Sequence, residues 1–157
     1  MKKLLMIGLT ICMSFVAVLA SHAGPIENAV KARRAYYQVV LSNAAPLFAV
    51  MKGRAKYDAK PAQTYANNLK LITQVNNAHL WPKGSDNTNA ALRGQTRALP
   101  AIWGPSSDVG AKGKALRVAA AELAADAGKG KDALIAKLKN LGGVCAACHK
   151  AYRAKDF

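Results

Sequence analysis

Apolar residues recur at steps of three and four along most of the chain from Pro25 onward, which is the period of an amphipathic α-helix. No stretch alternates apolar and polar residues for long enough to predict a β-strand. Pro46 lies inside the first segment, and we expect it to kink that helix rather than end it, because the apolar face continues beyond it. The pattern predicts four helices: one over 26–52, one from Asp58 to Trp81, one from 105–108 to a hinge at 127–130, and one from Leu134 to Tyr152.

The connections between these segments indicate how the helices are arranged. Short turns join the first pair and the last pair, whereas residues 82–104, rich in Gly, Asn and Pro, form a long loop with at most a turn of helix. A loop of that length in a small domain is usually functional or covers something. The sequence therefore predicts an all-α fold, an antiparallel four-helix bundle.

The amino-terminal stretch 1–23 has the pattern of a secretory signal peptide. Two lysines precede a mostly apolar run over 4–20, and a small residue, Ala23, closes the segment; cleavage after Ala20 is the alternative. A retained membrane anchor needs about 20 apolar residues, and this run of 17 is interrupted by two hydroxyl side chains. We therefore expect a signal peptide over 1–23, a mature domain over 24–157 that does not insert into the membrane, and export to the periplasm.

Near the carboxyl end, Cys145, Cys148 and His149 form C-x-x-C-H, the motif that attaches a c-type haem. On a helix, offsets of three and four residues bring side chains to one face, so two thiols and an imidazole can reach the same planar cofactor. A redox dithiol and a zinc site are the alternatives. A redox dithiol is typical of a helix that follows a strand. A zinc site needs a fourth ligand, for which only His79 or His22 is available. The motif favours one covalent haem c per chain over both.

Composition adds two constraints. Cys12 falls within the predicted signal peptide, so a mature chain has cysteines only in the haem motif and forms no internal disulfide. Residues 24–157 hold 21 Lys and Arg against 8 acidic residues, a net charge of +13. Such a surface favours anionic protein partners and solubility. Nucleic-acid binding is a poor explanation for an exported chain without a recognised nucleic-acid motif.

The motif and its surroundings resemble the class II c-type cytochromes, in particular cytochrome c′. C-x-x-C-H followed by Ala151-Tyr152-Arg153 carries most of the likeness, and the stretches 29–34, 46–53, 57–58 and 101–103 are similar to the same family. Class I cytochromes differ, because their motif lies near the start of the chain and their methionine ligand lies far downstream. The resemblance covers essentially the whole mature chain.

The resemblance implies a role for each matched residue. Arg33 also lies on the otherwise apolar face of the first helix, which argues against a merely solvated side chain. The implied haem contacts are thioether bonds from Cys145 and Cys148, an axial iron ligand in His149, propionate-side contacts from Arg33 and Arg34, and Arg153 near the proximal face.

Tyr37 is the most informative departure from the family pattern. In low-spin, electron-carrying relatives the matching position holds a methionine that supplies the sixth iron ligand, whereas a neutral phenol, with a pKa near 10, is a poor ligand. The resemblance then implies a five-coordinate, high-spin haem that binds nitric oxide and carbon monoxide, exchanges electrons with redox partners, has no turnover of its own and forms a homodimer through its first two helices.

The alternative function is a low-spin, six-coordinate electron carrier. It would need Met51 or His79 as the sixth ligand, and Met51 lies about 21 Å along the helix from Tyr37. A peroxidase-like enzyme would need a distal histidine with a partnering arginine, and the sequence offers no such pair.

Overall fold

Four α-helices make up most of the chain that the computed structural model describes, residues 24–157. The predicted signal peptide lies outside the described residues. Pro25, Pro100 and the other prolines sit in trans peptide bonds, since residues 24–157 contain no cis peptide. The helices are α1 (Pro25–Met51), α2 (Ala59–Gln74), α3 (Val109–Asp126) and α4 (Lys131–Tyr152).

The helix boundaries follow from local chemistry. Pro25 occupies the first turn of α1, where its missing N–H costs nothing, and α1 continues through Pro46 as expected. Gly53 follows the end of α1 with φ 69°, the left-handed conformation that favours glycine. Asp58 caps α2 by accepting a hydrogen bond from the Lys60 N–H at 3.0 Å. These signals are readable in the sequence, and three of the four helices lie within a few residues of their predicted bounds.

The bundle core is built from leucines and alanines on the inward faces of all four helices. α3 packs against both α2 and α4, and α1 packs against α2 and α4, so the short connections at 52–58 and 127–130 produce antiparallel neighbours. Burying each leucine contributes about 1.5–3 kcal/mol. The fully buried leucines of the four helices are Leu47, Leu69, Leu123, Leu134 and Leu138.

The second helix is shorter than the sequence pattern predicts. It ends at Gln74, because Val75 turns into an extended conformation with φ −61° and ψ 126°, and the predicted end at Trp81 is wrong. Val75 and His79, which continued the apolar-face spacing, are exposed. His79 lies instead in a single 3₁₀ turn, Ala78–Leu80.

The long connection from 75 to 108 is more ordered than a loop with at most one turn. It contains three 3₁₀ turns, Ala78–Leu80, Ala90–Leu92 and Pro100–Trp103. Within residues 24–157 it forms no strand, only an isolated bridge between Ala98 and Arg153. Its apolar residues pack onto the carboxyl-terminal end of α4 in a second cluster, called the loop cluster here: Ala98, Ile102 and Tyr152, with Trp81, Trp103, Val109 and Cys148 against them.

Candidate functional site

Cys145, Cys148 and His149 lie together in the last turns of α4. The helix is continuous through Gly142 and Gly143, so the three side chains keep the three- and four-residue spacing that places them on one face. Both thiols are free and half-buried. Cys145 packs against the bundle core, whereas Cys148 packs against the loop cluster.

The electrostatics of the two thiols differ from those of a redox dithiol. Burial, followed by the neighbouring Cys148, raises the pKa of Cys145 above its usual range, and burial also raises the pKa of Cys148. Reactive C-x-x-C thiols have lowered pKa values at a helix amino terminus, and these thiols sit at the opposite, carboxyl-terminal end. Among residues 24–157, no group of three or more His, Cys, Asp or Glu side chains is arranged to hold a metal ion.

His149 is exposed at the end of α4, beside Arg153. Arg153 Nη1 lies 3.5 Å from its Nδ1. Desolvation, and then the positive charge of Arg97, lowers the pKa of His149 below its usual value. The imidazole is therefore neutral at neutral pH, which is the form that binds iron.

Tyr152 fixes the end of α4 against the start of α3. Its hydroxyl donates to Asp108 Oδ1 at 2.6 Å and accepts the Asp108 backbone N–H at 2.8 Å. The Tyr152 hydrogen bond, followed by that of Lys112, lowers the pKa of Asp108. The last turn of α4, which contains His149, is thereby held in one position relative to α3.

Arg33 is the most deeply buried charged residue of α1, with 4% of its surface exposed. Its Nη1 donates to Ser85 Oγ at 2.9 Å and to the Leu80 carbonyl at 3.4 Å, and its Nη2 donates to the Ser85 carbonyl and to Thr96 Oγ1, both at 2.8 Å. Its guanidinium carbon also lies 4.2 Å from the centre of the Trp81 ring, a cation–π contact. All four hydrogen-bond acceptors are neutral, so this buried positive charge has no carboxylate partner among the described residues.

Tyr37 lies one turn beyond Arg33 on the same side of α1. Its ring meets those of Tyr36 and Trp81 edge to face, with centroids 5.0 Å and 6.2 Å apart. A substantial part of the side chain, 39%, is exposed. Desolvation, followed by Tyr36 and Cys148, raises the pKa of Tyr37 to about 12. The phenol is therefore neutral at physiological pH.

The remaining sequence-predicted residues lie outside this cluster. Arg34 is exposed and shares none of the contacts of Arg33. Met51 packs against the bundle core at the carboxyl-terminal end of α1, and His79 is exposed on its 3₁₀ turn. The structure therefore brings Arg33 and Tyr37 together around Trp81, and Trp81 and Cys148 pack against the same loop cluster.

Two residues of the site were missed from the sequence. Trp81 contacts both Arg33 and Tyr37, and its carbonyl accepts the indole N–H of Trp103 at 3.0 Å. Its position before Pro82 suggested only a helix end, although a tryptophan in a loop is itself a signal of packing. Arg97 carries no periodic signal, because it lies within an irregular loop.

Comparison with known proteins identifies the family. The family model described as cytochrome C′ matches residues 28–153. The chain belongs to the cytochrome c′ family. It is 35% identical to a cytochrome c′ of Cereibacter sphaeroides over 87% of this chain and 89% of that one. It is 31% identical to cytochrome c-554 of the same species over 99% of this chain and 100% of that one. The solved cytochrome c′ from Rhodobacter sphaeroides superposes with a TM-score of 0.78 at 35% identity, covering 83% of this chain and 98% of that one.

Cytochrome c′ proteins carry covalently bound haem c, and the residues of this chain fit that group. Two free, half-buried thiols and a neutral imidazole on one helix face are the donor set that haem c requires. The buried Arg33 guanidinium, hydrogen-bonded only to neutral oxygens, provides the positive charge that a haem carboxylate would compensate.

Proposed function

We propose that this protein is a periplasmic c-type cytochrome with a five-coordinate, high-spin haem that binds nitric oxide and carbon monoxide and takes part in electron transfer, without catalytic turnover of its own. The observation that carries the proposal is the position of Tyr37. It is a neutral phenol packed against Trp81, at the position where a sixth-ligand methionine is found in low-spin relatives.

The residues of α4 would hold the cofactor. Cys145 and Cys148 would attach the haem through thioether bonds, and the His149 imidazole would bind its iron. Arg153, with Nη1 3.5 Å from His149 Nδ1, would place a positive charge beside the imidazole. When bound, haem would supply a one-electron redox change and an iron to which a diatomic ligand can bind.

The residues of α1 and the loop control which ligands reach the open face. Tyr37 and Trp81 cover it with aromatic surface, and the hydroxyl of Tyr36 is engaged with the Ile72 carbonyl at 3.0 Å. A charged or strongly hydrated ligand would have to lose its water there, which is costly, whereas nitric oxide and carbon monoxide are neutral. Support comes from a solved ferrous variant of cytochrome c prime from Alcaligenes xylosoxidans with bound NO, 30% identical to this chain with a TM-score of 0.70.

Exposed apolar and basic side chains indicate where other protein molecules would bind this chain. Leu41 on α1 and Leu71 near the end of α2 are exposed, so each helix presents an apolar face to solvent. We propose that these faces form a homodimer. A related cytochrome c′ of known structure is described as having ligand-controlled dimer dissociation. The net charge of +13 over residues 24–157 favours anionic redox partners.

The periplasmic location rests on the predicted signal peptide over residues 1–23. Within residues 24–157, no helix combines the length and the apolar character needed to cross a bilayer.

Replacing Tyr37 tests the proposed gas-binding face. Tyr37→Ala removes the ring that an entering ligand must displace, so carbon monoxide should bind about tenfold faster by stopped-flow, with haem attachment unchanged. Tyr37→Met offers a thioether ligand and should convert the spectrum toward low spin. Val39→Ala, an exposed α1 position, is the matched control and should bind carbon monoxide at the wild-type rate. Equal rates in Tyr37→Ala and wild type would contradict the proposal.

A further inference from the structure

Basic side chains are concentrated at one end of the bundle, where α1 ends, α2 begins and the turn between α3 and α4 lies. The stretches 52–60 and 129–132 hold six basic and two acidic residues, a net charge of +4. All six basic side chains are exposed, so this end of the bundle presents a positive face to solvent. The group, called the basic end here, consists of Lys52, Arg54, Lys56, Lys60, Lys129 and Lys131.

Tyr57 holds the two basic stretches side by side. Its hydroxyl donates to the Ala127 carbonyl and accepts the Gly130 N–H, both at 3.0 Å. This bridge fixes the turn that leads into α4 against the turn that leads into α2. Three residues of the basic end line one shallow depression beside Tyr57: Arg54, Lys56 and Lys131.

Most of the basic end has no acidic partner. Among residues 24–157, the ion pairs made by this end are limited to Lys129, whose Nζ lies 2.8 Å from Asp126 Oδ1. The Asp58 carboxylate instead accepts the Lys60 backbone N–H as the cap of α2. Because like charges held close together repel one another, a surface that compensates several of them at once is favoured.

The surroundings of the basic end favour a charged lipid surface over a protein interface. Protein interfaces are anchored by aromatic and other well-packed apolar side chains. None of the large apolar side chains that are exposed among residues 24–157 lies within 52–60 or 127–132. A surface of anionic phospholipids needs no such anchor, and each basic residue near it strengthens binding about fivefold.

The basic end lies far from the candidate haem site. Lys131 begins α4 and Cys148 lies near its end, so at 1.5 Å per residue they are about 26 Å apart along the helix. A surface that bound the basic end would therefore leave the site at the other end of the bundle open to solvent.

We propose that the basic end docks this protein onto an anionic phospholipid surface, with the candidate haem site directed away from the membrane. The contact is electrostatic and involves no insertion into the bilayer. It does not depend on how the haem iron is coordinated, so it stands or falls separately from the proposed function.

Vesicle sedimentation of the holoprotein tests this docking. The protein should sediment at low salt with vesicles made of equal parts phosphatidylcholine and phosphatidylglycerol, and should stay in solution with vesicles of phosphatidylcholine alone. Salt at about 1 M shortens the screening length to about 3 Å and should release it. A triple variant, Arg54→Gln with Lys56→Gln and Lys131→Gln, should bind at least tenfold more weakly, because three additive contributions of about fivefold would give on the order of a hundredfold.

A second triple variant is the matched control, since it removes the same net charge from exposed positions at the opposite end of the bundle. These positions lie more than a screening length of about 10 Å from the docked surface, so binding should stay within about threefold of wild type. The control combines Lys31→Gln, Lys83→Gln and Arg93→Gln. Circular dichroism of both variants checks that the fold is intact.

Four results would overturn the inference. Equal binding to both kinds of vesicle would exclude a role for lipid charge, and wild-type binding by the first triple variant would exclude a role for the basic end. A control variant that bound as weakly as the first would mean that net charge alone is responsible. Retention on immobilised polyglutamate without binding to vesicles would assign the basic end to an acidic protein partner.

Discussion

Arg33→Ala should destabilise the holoprotein strongly, because Arg33 organises the loop that covers the site. The guanidinium is buried and donates three short hydrogen bonds, to Ser85 Oγ, the Ser85 carbonyl and Thr96 Oγ1. Truncation would remove the donor to Ser85 Oγ and to the Ser85 carbonyl, whereas Thr96 Oγ1 would still accept the Ala98 N–H at 3.1 Å. It would also remove the cation–π contact with Trp81.

The expected loss of stability in Arg33→Ala is the balance of two opposing contributions to the free energy of unfolding. Hydrogen bonds from a charged donor contribute about 1.5–3 kcal/mol each, and each orphaned buried acceptor costs about 1–3 kcal/mol. Removing the buried charge of Arg33 recovers part of the lost stability, because the desolvation of an ion costs several kcal/mol. We expect a net loss of about 3 kcal/mol in the free energy of unfolding, which for a domain of this size lowers Tm by roughly 10–15 °C.

Urea unfolding followed by circular dichroism at the helical minimum measures this free energy by linear extrapolation. Arg34→Ala is the matched control, since Arg34 is the exposed neighbour, and its effect should stay within about 0.5 kcal/mol. Arg33→Lys should fall between the two, because an ammonium cannot reproduce the planar fork of the guanidinium. An Arg33→Ala protein as stable as Arg34→Ala would refute the reasoning.

The other predictions concern attachment and assembly. Acid acetone should leave all the haem on the wild-type chain, and a protein with both Cys145→Ala and Cys148→Ala should release it completely; full extraction from wild type would contradict covalent attachment. Wild type should sediment as a dimer at tens of micromolar, and Leu71→Glu, at a position 63% exposed on α2, should weaken dimerisation at least tenfold. Val118→Glu on α3 should leave dimerisation unchanged. A monomeric wild type would contradict the proposed interface.

Helical periodicity was sufficient to predict the fold where side-chain burial follows the sequence pattern. α1, α3 and α4 all have an apolar face, and α1 and α4 also begin at a glycine or a proline. α2 shows the limit of that reasoning. Val75 and His79 continue the apolar spacing, but both are exposed, so the helix ends earlier than the spacing suggests.

Some residues of the candidate site could be located from the sequence and others could not. Cys145, Cys148 and His149 could be located from the sequence because their spacing is fixed by one helix. The contacts of Arg33 could not, because Ser85 and Thr96 come from an irregular loop 52 and 63 residues away and carry no periodic signal. Long-range hydrogen bonding of this kind depends on how the loop folds over the bundle, which a local pattern does not specify.

The visible spectrum of the purified ferrous protein, recorded before and after addition of nitric oxide or carbon monoxide, tests the central claim most directly. The neutral phenol of Tyr37, with a pKa raised to about 12, supplies no sixth ligand at neutral pH. We therefore predict a broad high-spin Soret band without gas and a changed spectrum with either gas. Sharp low-spin α and β bands before any gas is added would contradict the proposal and indicate a six-coordinate electron carrier.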